Sequence, residues 1–281
     1  MDKLLLVDGS NLLFQMFFGM PARIANKNGK AIHGTMGFVG ALLKIIRMTE
    51  PTHIAVLFDG EHENIRTALN PDYKANRIDY GELPDEQSPF TQLDDIYAAL
   101  DYLKIRHAET IVCETDDWIA GYAFAYGNDI QIVISSFDSD YFQLLTENTS
   151  VLRYRGKNTV ICAPEYISEH LGISPTQYAD FKSLVGDASD NIKGADKVGV
   201  KTAGLLLKKF NTLENILSNA GQIERRQIRE SIVKNAERLR TNYKLIKLNG
   251  SMDLPFSLDE LAISDIQATT NSILKGIGLL P

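Results

Sequence analysis

Cysteine is scarce in this chain of 281 residues, occurring only as Cys113 and Cys162. Two thiols are too few for a disulfide framework or a zinc site, and they point to the reducing cytoplasm. No apolar run approaches the roughly 20 residues that span a bilayer. The opening MDKLLLVDGSN has too short an apolar core for a secretory signal and reaches an acid at Asp8. Internal repeats and low-complexity tracts are missing as well. So is any excess of basic charge: 29 Lys and Arg face 36 Asp and Glu, a net −7 that, taken whole, argues against a nucleic-acid partner. What remains, 44% hydrophobic and 23% charged, suits a soluble globular protein with one large core or two modest ones.

The charge is unevenly spread. Between Asn191 and Gly250 there are 13 basic and 5 acidic residues, leaving 16 basic and 31 acidic for the remainder. A basic C-terminal region thus joins an acidic N-terminal one. Along the N-terminal part, KLLLVD (3–8), HIAVLFD (53–59), IRHAETIVC (105–113) and IQIVISS (130–136) read as buried strands. Helical spacing fills 34–48, 90–103 and 116–127 between them. The alternation predicts an α/β fold, a mostly parallel sheet with helices on both faces and ligands at the strands' carboxyl ends. The polar stretch 66–90 holds Pro71, Pro84 and Pro89 and is long for a connection, which marks it as a mobile functional segment. From Pro164 onward the pattern is helical throughout, with GADKVGVKTA as a tight hairpin between two helices. The expected division is an α/β region, 1–163, and a helical region, 164–281.

Carboxylates gather at the strand ends. Asp8 closes the first strand and Asp59 the second; Glu114, Asp116 and Asp117 follow the third, Asp138 and Asp140 the fourth. Any one of them could simply cap the next helix. Together with Asp187 and Asp190, spaced i, i+3, they form a set that cannot share one edge as bare anions. Divalent cations resolve the conflict, and an all-oxygen donor set suits Mg²⁺ or Mn²⁺. A pair of such ions about 4 Å apart serves phosphate-ester hydrolysis. Other motifs fail: Asp8-Gly9-Ser10 lacks a second acid, DASDNIKGADKV has Ile192 and Val198 where an EF-hand needs Gly and Glu, and Val200 interrupts a P-loop.

Basic groups stand beside the acids. Lys74 and Arg77, with Arg66 upstream, could hold a scissile phosphate, and Tyr73 offers a ring for an unstacked base. Around Gly194 and Gly199, close backbone approach, Lys193, Lys197 and the helix beginning near Lys201 and Thr202 suit phosphates read by shape.

The stretches LLLVDGSN, VLFDG, YKANR, CETDDWIA, SSFDSDYFQLL and LVGDASDNIKGADKVGVKTA, taken jointly, resemble the 5′-nuclease superfamily of flap endonucleases, phage 5′-exonucleases and the exonuclease domain of bacterial DNA polymerase I. The likeness covers most of 1–210, and with no polymerase sequence following, the chain reads as a free-standing member. It implies a metal-dependent 5′ nuclease acting on DNA flaps, nicks or 5′ ends, and a monomer. Asp8, Asp59, Glu114, Asp116 and Asp138 would form the inner acidic cluster, completed by Asp117, Asp140, Asp187 and Asp190. Lys74 would be the catalytic lysine, 66–90 an arch threaded by the 5′ strand, and 184–210 a helix-hairpin-helix binding K⁺ through the carbonyls of Leu184, Val185, Lys193, Ala195 and Val198. Departures are Gln15 for arginine, Ser139 for lysine, and Lys193 and Lys197 at positions often Pro and Gly. Two other functions fit the residues less well: a PIN-like ribonuclease and a non-catalytic binder of branched DNA.

Overall fold

The computed structural model describes residues 2–60 and 65–281. Strand β1 (Lys3–Asp8) runs directly into α1 (Gly9–Gly19), and α2 (His33–Thr49) returns the chain to β2 (His53–Phe58). A short α3 (Ile65–Leu69) opens the polar segment, which ends in a 3₁₀ turn at Pro89–Gln92 and α4 (Leu93–Tyr102). Then come β3 (Arg106–Glu109), α5 (Thr115–Tyr126), β4 (Gln131–Ser135), β5 (Thr149–Arg153) and β6 (Val160–Cys162). The rest is α6 (Pro164–Leu171), α7 (Tyr178–Val185), a two-residue ladder of β7 (Gly186–Asp187) and β8 (Ile192–Lys193), α8 (Val200–Phe210), α9 (Leu213–Ser218), α10 (Arg226–Lys234), α11 (Ala236–Ile246) and α12 (Thr270–Gly276).

Among the described residues the main sheet has six strands in the order β3-β2-β1-β4-β5-β6, parallel except for β6. Period-two alternation divides its side chains between two layers. Leu5, Val7, Ile54, Val56 and Phe58 pack on Phe17 of α1, Phe38 and Leu42 of α2, and Ile96 of α4. Leu4, Leu6, Ala55 and Leu57 face Ile119 and Tyr122 of α5, in a cluster that continues through Ile167, Leu184, Leu207 and Leu239. One core therefore joins the sheet to the C-terminal helices. No described helix is long and apolar enough to cross a membrane, and both cysteines are free and buried.

Three expectations about the elements need correction. The third strand stops at Glu109, and Ile111 and Val112, which lie beyond it, are exposed at 75% and 56%. Strands β5 and β6 were not anticipated, the second because it is a three-residue edge with Ile161 exposed. The chain after Pro164 is not helical throughout. It includes the β7–β8 ladder, and the stretch 247–258 packs on α5, where Trp118 Nε1 donates to Asp253 O at 2.9 Å and Tyr122 Oη to Phe256 O at 2.9 Å.

The strand order reverses direction between β1 and β4. In an open parallel sheet this leaves a crevice at the carboxyl ends of those two strands. Asp8 ends one of them, and Asp138 follows the other.

Candidate metal centre and nucleic-acid interface

Asp8 is the N-cap of α1, where its Oδ1 accepts the Asn11 amide at 2.9 Å. Its Oδ2 takes Ser136 Oγ at 2.9 Å and lies 3.3 Å from Tyr141 Oη. The same tyrosine donates to Asp116 Oδ1 at 2.6 Å, so one buried hydroxyl gathers two carboxylates from distant parts of the chain. Asp59 Oδ1 accepts the Thr115 amide at 2.9 Å, and Asp138 Oδ1 accepts the Asp140 amide at 2.8 Å. These bonds aim β1, β2, β4 and the start of α5 at one cleft.

Electrostatics registers the crowding. Burial, and then the charge of Asp59, push the Asp8 carboxyl up to about 7. Burial and Asp138 raise Asp116 well above the usual carboxylate range. Asp140 also reaches about 7, chiefly through burial, although Lys182 opposes the shift. A second group adjoins the first: carboxylate oxygens of Asp140, Asp187 and Asp190 lie within 4.8 Å of one another. Oxygen-only donors whose ionisation is opposed by burial and mutual repulsion fit divalent cations.

A pH dependence follows from these shifts. From about pH 4 to pH 7 the folded chain holds protons on Asp8, Asp116 and Asp140 that the unfolded chain has released, so stability falls as pH rises through that window. Glu114 and Asp187, both held low, act in the opposite sense only below the ordinary carboxylate range. His33, lowered by burial, also opposes the trend below its ordinary value, as one group against three. The metal-free protein should melt ~5 °C lower at pH 8 than at pH 5.5, with the difference shrinking in Mn²⁺. Calorimetry in EDTA checks this; equal melting at both values contradicts it.

Two DNA-contact assignments, Arg66 and Tyr73, do not fit the geometry, and Asp117 has a basic partner of its own. Asp117 is held by a cation it shares with Glu114: its two oxygens accept Arg66 at 2.9 and 2.7 Å, and Oδ1 also takes the Asn249 amide at 2.8 Å. Arg66 is not a free phosphate contact, since it is buried between Asp117, Glu114 (2.9 Å) and the Leu245 carbonyl (2.9 Å). Tyr73 presents no open ring; it is 5% exposed, packed on Ala179, Ile192, Leu245 and Ile246, with its hydroxyl on Glu114 at 3.1 Å. Because Arg66→Ala takes the guanidinium from buried Asp117, which keeps the Asn249 amide, it should cost ~3–5 kcal/mol in urea unfolding. A loss below ~1 kcal/mol would mean that this charge re-solvates freely.

The remaining basic residues do meet the acids. Lys74, in the left-handed region at φ 57, sends Nζ to Glu114 Oε1 at 2.7 Å and lies beside Asp116. Arg77 reaches Asp190 at 2.7 Å. The polar segment is seated further by Lys74 N on the Asp190 carbonyl (3.1 Å) and by Tyr80, whose ring lies against Phe14, Phe18 and Phe90. Sequence reasoning missed Tyr141, Ser136 and Lys182. The last bridges Asp140 (2.6 Å) and Asp187, with Ser139 Oγ 3.5 Å away. Gln15 has a structural partner, the Tyr154 carbonyl at 2.6 Å.

At the hairpin, a Cβ on Gly194 would come within 2.3 Å of the Val185 carbonyl carbon, so the backbone crossing requires glycine. Lys197 keeps a left-handed φ of 65, a conformation that costs a non-glycine residue roughly 1 kcal/mol or more. Gly199 provides no side-chain cap to the first N–H groups of α8, which lie near exposed Lys201 and half-buried Thr202. Lys193 is also exposed, and Lys197 Nζ meets Gln227 at 3.0 Å.

A family model for the 5′-3′ exonuclease N-terminal resolvase-like domain matches residues 3–172, and one for the 5′-3′ exonuclease C-terminal SAM fold matches 173–269. The chain belongs to the 5′-3′ exonuclease family. It is 33% identical over 269 residues to DNA polymerase I of Streptococcus pneumoniae, covering 93% of this chain and 30% of that protein. The chain thus spans about 30% of the polymerase relatives it matches. A 5′-3′ exonuclease of Buchnera aphidicola is 32% identical over 244 residues, 86% of this chain and 81% of the relative. In fold, this family member is similar to a bacteriophage T5 flap endonuclease in complex with DNA and metal ions, with TM-score 0.73 and 20% identity over 98% of this chain and 99% of the other. It is also similar to the catalytic core of Rad2 with DNA substrate, with TM-score 0.61 and 17% identity over 100% and 88%.

Proposed function

We propose that this chain is a structure-selective, metal-dependent 5′ nuclease that hydrolyses DNA phosphodiesters at 5′ flaps, nicks and free 5′ ends. The observation that carries the reading is the convergence of Asp8 and Asp116 on Tyr141 at the switch point of the sheet, next to the Asp140, Asp187 and Asp190 group. Asp8, Asp59, Glu114, Asp116 and Asp138 would hold one divalent ion, and Asp140, Asp187 and Asp190 a second, with Mg²⁺ the favoured species. Such a pair, when bound, neutralises the scissile phosphate and provides hydroxide at neutral pH.

The chain's own residues do the rest. Lys74 Nζ, 2.7 Å from Glu114, would take a phosphate oxygen as the strand enters, and Arg77, 2.7 Å from Asp190, would do the same. Exposed Lys193, Lys197 and Lys201, Thr202 and the free amides of α8, with Gly194 and Gly199 permitting close approach, would grip duplex phosphates without reading sequence. K⁺ bound through the carbonyls of Leu184, Val185, Lys193, Ala195 and Val198 would complete that grip. Three of these already accept one hydrogen bond, from Ala195 N to Leu184, Asn242 to Lys193 and Val198 N to Ala195, and each retains a second lone pair. The segment 66–90 would be the arch over the 5′ strand, the helical part from 164 onward the duplex-binding region, and the working species a cytoplasmic monomer.

Cleavage-site mapping on a 5′-labelled DNA flap tests the proposal. With Mg²⁺, cuts should cluster at the flap base and disappear in EDTA. Undiminished cutting in EDTA, or equal cutting of a matched RNA flap, overturns it.

A further inference from the structure

Lys182 lies on α7 within the apolar sequence YADFKSLV, between buried Phe181 and Leu184, and is itself only 8% exposed. A lysine is seldom so enclosed without a partner. Here it has two: Nζ is 2.6 Å from Asp140 Oδ1 and contacts Asp187 Oδ2. These acids and Asp190 form the compact carboxylate group with oxygens within 4.8 Å. Arg77 also serves that group through Asp190, but its side chain is 52% exposed and comes from the polar segment, so solvent and substrate can draw it away. Lys182 has no comparable exit, because its side chain is only 10% exposed and its helix is embedded in the core.

The geometry points to Lys182 as a positioning residue, a built-in cation that holds Asp140 and Asp187 in place and keeps the second divalent-ion site weak until DNA arrives. This inference rests on the metal-site reading given above. With Lys182 present, the three carboxylates when ionised carry a net charge of −2 before Arg77 is counted, and one oxygen on each of two of them faces an ammonium instead of an incoming ion. A divalent cation entering there must displace or tolerate a positive charge a few ångströms away. The nucleic-acid phosphate would add the negative charge that makes full occupancy favourable. Lys182 thus stabilises the metal-free fold and restrains premature loading.

Mn²⁺ titration of the full DNA-free chain at fixed pH, by isothermal calorimetry with electron paramagnetic resonance, tests this in wild type, Lys182→Met and Lys182→Arg. The weaker Mn²⁺ site of the Met variant should tighten about tenfold, its melting temperature in EDTA should drop, and Arg should restore wild-type affinity. A merely structural lysine would not gain metal affinity when lost. Should the Met variant fail to fold with or without Mn²⁺, Lys182→Gln, which removes the charge and keeps a donor, decides by the same shift. Unchanged Mn²⁺ binding in a folded, uncharged variant, or an Arg variant that behaves like Met, overturns the inference while leaving the metal site standing. A wild type that binds no Mn²⁺ overturns both.

Discussion

Asp8→Asn is expected to fold, to bind flap DNA within about threefold of wild type, and to cleave at least ~10³-fold more slowly, a barrier rise of about 4 kcal/mol. Folding should survive because asparagine is as good an N-cap as aspartate: its Oδ1 can keep the Asn11 amide, while its Nδ2 can donate to Ser136 Oγ, whose hydroxyl then accepts. In EDTA the variant should even melt at or above the wild-type temperature, since one of the mutually repelling carboxylates is gone. Binding should survive because the proposed duplex contacts lie at the hairpin near Gly194 and Lys201, on other elements. Cleavage should not, because the lost charge is one that a divalent ion needs. Gel shift and single-turnover cleavage on the same flap separate the two; a fall of less than tenfold in cutting would remove Asp8 from the chemistry.

Lys74→Ala should also divide kcat from affinity. Its ammonium is bound to Glu114 beside Asp116, so it faces the reacting region rather than the hairpin. Removing one preorganised positive donor from a developing phosphorane charge typically costs ~10²–10³ in rate. Flap affinity should change by under about threefold, because one phosphate contact among many is lost. The fold should be little affected, as Glu114 keeps Arg66 and Tyr73. Equal losses in turnover and binding would make Lys74 a binding residue only.

How much of this was legible in the sequence depended on whether the interaction was local. Fully buried strands such as Leu4–Val7 declare themselves by continuous apolar runs, and the acids at their carboxyl ends follow from strand position alone. Asp8 and Asp138 could be grouped because parallel neighbours end at the same edge. Successive residues at a helix start point about 100° apart, so Asp116 faces Tyr141 while Asp117 faces Arg66, a difference that strand position alone does not reveal. The Arg66–Asp117 pair spans 51 residues of sequence, and no local spacing announces it. Tyr73 read as an exposed ring because its polar neighbours suggested a surface loop, whereas α7 and α11 cover it. Lys182, a charge inside an apolar helical stripe, was the one buried partner with a sequence signal; a lysine at a core position implies an acid nearby.

Crystals soaked in Mn²⁺ and measured for anomalous scattering test the central claim most directly. The account predicts a strong peak among Asp8, Asp59, Asp116 and Asp138, and a weaker one beside Asp140, Asp187 and Asp190. Well-ordered acids at these positions with no anomalous density between them would contradict it.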